Sequence, residues 1–73
     1  MSDLVKAIIS KRDPQGYYVI PLRKTQATDN VLSKVRDAEI EYYGDTVIVR
    51  TKSRDEAKRI VKLAIKYSIL AVT

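Results

Sequence analysis

The chain has 73 residues and a formal charge of +5, with 14 Lys and Arg against 9 Asp and Glu, and it contains neither Cys nor His. Those two absences exclude disulfide frameworks, Cys-ligated metal sites and the usual nucleophile–base pairs of catalysis. A domain of this length buries only roughly 60–65% of the surface its unfolded chain exposes, so it needs a well-packed core, a partner subunit, or both.

No run is long and apolar enough to span a bilayer, and the N-terminus lacks a secretory signal pattern. No zinc, P-loop, Rossmann or RNP-type motif can be written onto the residues. Gly16 and Gly44 are the only glycines, which leaves no Gly-rich phosphate cradle. The expectation is one cytoplasmic, non-enzymatic domain over residues 1–73 with no cofactor and no metal. Abundant charge, Ile, Val and Tyr with little Asn or Gln give it a thermophile-like composition.

Leu4 to Ile9 is a short apolar run with two solutions. It reads as a strand that turns at Asp13-Pro14-Gln15-Gly16 and pairs Arg12 with Tyr17, which places Val5, Ala7, Ile9, Tyr18, Ile20 and Leu22 on one face. A short helix capped by Ser2 competes, because Leu4, Val5, Ile8 and Ile9 also fit a helical stripe. The hairpin is the adopted reading. Its second arm, Gly16 to Arg23, is β-branched and aromatic, and Pro21 confines it to an edge or a bulge.

Thr25 to Asn30 is polar. Thr28 or Asp29 is suited to cap a short helix that ends near Asp37, with Val31, Leu32 and Val35 inward. Two strand-like runs then flank Gly44-Asp45, as in a tight hairpin with a type II′ turn. A two-residue loop pairs Tyr42 with Val47, Ile40 with Val49 and Ala38 with Thr51 on a mostly apolar face. Tyr43 with Thr46, Glu41 with Ile48 and Glu39 with Arg50 form the other face, which sets opposite charges across from each other. Tyr18 and Tyr42 then point inward, Tyr17 and Tyr43 outward.

Ser53 and Glu56 form a capping box for the last helix, with Asp55 and Glu56 at the positive end of its dipole. Ala57, Ile60, Val61, Ala64, Ile65 and Ser68 share its inner face, and Leu63, Tyr67 and Leu70 widen the apolar arc. Residues 68–73 fit either helix or a last strand. With no turn residue before them, helix to about Leu70 is expected. The fold class is therefore α+β with the order ββαββα, two hairpins each followed by a helix, the second helix longer.

The function is sought in the charge distribution. Seven cations (Arg50, Lys52, Arg54, Lys58, Arg59, Lys62, Lys66) and two anions (Asp55, Glu56) fall between Arg50 and Lys66, so this segment holds the whole +5 and the remainder cancels. Lys58, Lys62 and Lys66, spaced i, i+4, i+8, form a ridge with Arg59 beside it and no acidic i,i+4 partners. Such a ridge suits a phosphate backbone, DNA or RNA, because each neutralised phosphate releases a counterion. Lys52 and Arg54 extend it at the strand-to-helix junction, and an outward Tyr43 offers a base a stacking surface. The opposing reading is a solvated, solubilising face. Glu39 and Glu41 lack a third ligand or a base and read as a charged sheet face. The last helix lacks the Trp and Phe expected of a membrane-surface helix. The alternative function is a protein–protein module, a homodimeric adaptor or a small subunit of a complex, that associates through Leu63, Tyr67 and Leu70.

Overall fold

Gly44 takes a φ of +56°, Asp45 stays out of the left-handed region, and the two strands meet with Tyr42 opposite Val47, Ile40 opposite Val49 and Ala38 opposite Thr51. This is the register that the alternating pattern requires, and a slip by one residue would turn every apolar side chain to solvent. The structure, a computed structural model that describes residues 3–71, is an α+β domain with the order α1 (Asp3–Ile9), β1 (Tyr18–Arg23), α2 (Gln26–Leu32), β2 (Ala38–Tyr43), β3 (Thr46–Thr51) and α3 (Arg54–Lys66). The strands form one antiparallel sheet ordered β1-β3-β2. One sheet face carries Tyr18, Ile20, Leu22, Val47 and Val49 into the core, where Ala57, Ile60, Val61 and Ala64 of α3 cover them. Burying an aliphatic side chain of this size contributes about 1.5–3 kcal/mol.

The observed order is αβαββα, which corrects the expected ββαββα. Residues 3–9 form a helix packed against α3 and β1, and no hairpin precedes β1. The turn itself exists. Asp13 accepts from Gly16 through its backbone carbonyl at 2.9 Å, while its Oδ1 accepts from Gln15 and Tyr17 at 3.0 and 2.8 Å. Pairing stops after Asp13 and Tyr17 because both edges of β1 are engaged elsewhere. One edge meets β3 from Tyr18–Thr51 to Arg23–Thr46. The other meets the chain's end, where Arg23 N–H donates to Ile69 O at 2.7 Å and Ala71 N–H to Pro21 O at 2.9 Å. Pro21 sits on this outer side, where its missing N–H does not interrupt the ladder to β3. The Ser2 cap and the side chains of Asp3, Leu4 and Val5 lie outside the described residues, as do Val72 and Thr73.

The helix expected to run to Leu70 stops at Lys66. Ile69 N–H reaches back to Ala64 O at 2.9 Å and Ser68 N–H to Ile65 O at 3.2 Å, with Ser68 at φ +56°. This is a Schellman ending with Ser where Gly is usual. It turns Ile69 and Leu70 back into the core and pairs Leu70 with Leu22. Ile65, expected inward, is exposed at the edge of the helix's buried stripe.

The cap of α2 is Thr25, whose Oγ1 accepts from Thr28 N–H at 3.2 Å, in place of the expected Thr28 or Asp29. Thr28 lies one turn inside the helix, fully buried, and donates its hydroxyl to Arg23 O. The helix ends at Leu32, five residues before Asp37. At α3, Ser53 Oγ accepts from Glu56 N–H at 3.2 Å, but the capping box is half made. Ser53 N–H donates to Thr51 Oγ1 at 3.1 Å instead of to Glu56.

Candidate nucleic-acid interface

Arg54 is the first residue of α3, which lengthens the expected ridge. Arg54, Lys58, Lys62 and Lys66 follow one another at four-residue spacing, so the row is roughly 18 Å long and winds by about 40° per step. Its first half lies against α1 and its second half faces solvent. Among residues 6–71, whose side chains are described, the only ion pairs are Arg50–Glu41 and Arg59–Glu56, and no member of this row meets a carboxylate there. Lys62 and Lys66 are exposed, and Lys66 Nζ lies 5.5 Å from the centre of the Tyr67 ring. Lys58 is half-buried.

The first half of the row closes on a cleft. Lys6, Ile9 and Ser10 of the α1 end and Arg54 and Lys58 of α3 line a cavity of about 360 Å³. Ile9 is buried and gives the cleft an apolar side. Ser10 holds the end of α1, its N–H donating to Lys6 O at 3.0 Å and its hydroxyl to Ala7 O at 3.1 Å. Lys6 belongs to the part of the sequence whose charges cancel, and reading residues 4–9 as a strand hid its position. The competing helical stripe was the signal, because it sets Lys6 and Ser10 one turn apart.

The other expected site residues go elsewhere. Arg59 turns toward α2. Its Nη2 donates to Lys34 O at 2.6 Å and its Nη1 lies 3.7 Å from Glu56 Oε1. Lys52 and Tyr43 belong to the sheet face that bears no helix. Lys52 Nζ lies 5.0 Å from the centre of the Tyr17 ring, and Tyr43 donates its hydroxyl to Glu41. Arg50 pairs with Glu41, diagonally, and not with Glu39 directly across. Glu39 instead accepts from Tyr17 OH at 3.4 Å. Cross-strand rows on this face read Val19-Arg50-Glu39, Pro21-Ile48-Glu41 and Arg23-Thr46-Tyr43. Anions thus sit among its cations, unlike along the row from Arg54 to Lys66 on α3. Tyr42, expected inward, is 58% exposed, because β2 is an edge strand and the helices pack on β1 and β3.

The three residues expected to join subunits separate. Leu70 is buried in its own core at 9% exposure, Leu63 is half-buried, and Tyr67 is 45% exposed. Leu63 and Tyr67 line a groove of about 230 Å³ between α3 and α2, opposite Ala27, Asn30, Val31 and Lys34.

No protein-family model, no curated protein and no solved structure matches the chain. The chemistry of its surfaces therefore carries the functional reading. No helix among the described residues is long and apolar enough to cross a membrane.

Proposed function

We propose that the protein binds nucleic acid by its phosphates, through the row Arg54, Lys58, Lys62 and Lys66 on α3. The observation that supports this is that no carboxylate of residues 6–71, whose side chains are described, pairs with the row. A charged helix built only for stability or solubility is normally laced with i,i+4 ion pairs. The row is mostly lysines, which act as point charges and not as bidentate base readers, so binding has little sequence preference and falls steeply with salt. With about four phosphates neutralised, the log–log salt slope is roughly −3 to −4. Replacing Lys62 and Lys66 by Gln is expected to weaken binding alike on all sequences and to flatten that slope by about 2 units. An unchanged affinity in this double variant assigns the row to solubility alone.

A second reading, self-association, is supported by the groove under the exposed Tyr67 ring. It uses Leu63 and Tyr67 and leaves out Leu70, which is buried at home. Sedimentation that shows a dimer lost on Tyr67→Ser would favour it. A monomer at high concentration removes it.

A further inference from the structure

We infer that the cleft between α1 and α3 is a phosphate-binding site, and that the phosphate it takes is the terminal monoester of a nucleic-acid strand. The second half of this inference rests on the nucleic-acid reading above; the first does not.

Lys6, Arg54 and Lys58 line the cleft from two different helices, and no acidic side chain lines it among residues 6–71, whose side chains are described. Asp55, three residues before Lys58, and Glu56, two before it, are not part of the lining. Lys6 and Arg54 are exposed and Lys58 is half-buried, and like charges that line one cleft repel one another. Their convergence raises the energy of the empty site and is relieved by an anion. The buried Ile9 closes one side of the cleft to water, next to the half-buried Lys58, where an ion pair is stronger than in open solvent.

The charge count chooses among phosphates. An internal diester carries one negative charge, whereas a phosphate monoester carries about −1.5 to −2 at pH 7 and offers three acceptor oxygens. Three convergent cations match the monoester better. The guanidinium of Arg54 supplies a bidentate fork, and Lys6 and Lys58 supply point charges. The placement also fits the row. The cleft is at its Arg54 end, so a strand whose terminal phosphate is held there passes Lys62 and Lys66 with its internal phosphates.

Two measurements on the full chain decide the matter. Inorganic phosphate, against chloride at equal ionic strength, is expected to raise the thermal midpoint, since a ligand that binds only the folded state stabilises it. Lys6→Gln is expected to abolish that shift while leaving the midpoint in chloride unchanged or higher, because one repulsive charge is gone. Arg54→Gln provides a second variant with the same expectation. No phosphate-specific shift in the wild type, or a shift that survives both substitutions, overturns the site. The strand end is tested with one short single strand carrying either a 5′-phosphate or a 5′-hydroxyl, with the 3′-phosphorylated strand as a third arm. A phosphorylated end is expected to bind about tenfold more tightly, the worth of one further charge-assisted contact. Lys6→Gln brings that ratio to one, and Lys62→Gln with Lys66→Gln lowers all affinities and keeps it. Equal binding of all three strands overturns the terminal assignment, and a persistent phosphate shift then marks a site for the free anion. Loss of all strand binding with the shift intact overturns the nucleic-acid reading and the terminal assignment but not the site.

Discussion

Arg59 Nη2 donates to the backbone carbonyl of Lys34 at 2.6 Å, which joins α3 to the turn that ends α2. In sequence Arg59 is one more cation of the basic segment. In the fold it is a strut between two helices, and its guanidinium meets Glu56 as well. The prediction is a division of labour. Arg59→Ala is expected to lower stability by about 1 kcal/mol, the scale of a partly exposed charge-assisted hydrogen bond, and to leave the salt slope of nucleic-acid binding unchanged. Lys62→Gln is expected to do the reverse, with stability altered by less than about 0.5 kcal/mol and the slope reduced by about 1 unit. Denaturant unfolding and salt titration of the two variants check both halves.

Ser68 is in the left-handed region at φ +56°, at the position where helices of this ending usually carry Gly. A side chain there costs roughly 1 kcal/mol against Gly. Part of that gain is returned through the greater freedom of Gly in the unfolded chain. Ser68→Gly is therefore expected to raise stability by about 0.5 kcal/mol, and Ser68→Val to lower it by more than 1 kcal/mol at about the same scale. A neutral Ser68→Val in chemical denaturation would contradict the left-handed turn.

Tyr43 and α3 are on opposite sides of the sheet. Stacking of a base on an aromatic side chain is worth about 1–3 kcal/mol on removal to Ala. If phosphate contacts along α3 carry binding, Tyr43→Ala leaves affinity for single strands unchanged. A loss on that scale would move the interface to the open sheet face, where Tyr17, Tyr43, Arg23 and Lys52 would carry it.

The candidate site was partly legible before the fold was known. The spacing of Arg54, Lys58, Lys62 and Lys66 follows from one helix, and that helix announces itself through Ser53 and its inner stripe. Which cations stay available does not follow from spacing, because it depends on what packs beside the helix. Arg59 finds a carbonyl of α2, and Lys52 finds the ring of Tyr17 on the far face. Lys6 does not stand out in the sequence, because residues 4–9 fit a strand as well as a helix.

By itself the sequence determined what short-range rules decide. The β2–β3 register follows from side chains that alternate with a period of two about a Gly-initiated turn, and all six pairs stand as that rule requires. The α3 stripe of Ala57, Ile60, Val61 and Ala64 follows from the 3.6-residue period. Tertiary structure decided the two brief apolar runs at the chain's ends, which satisfy either period. Residues 69–71 close the outer edge of β1, so residues 3–9 find no strand to pair with there and satisfy their backbone internally as a helix. That choice, made by long-range hydrogen bonds, is also what carries Lys6 to Arg54 and Lys58.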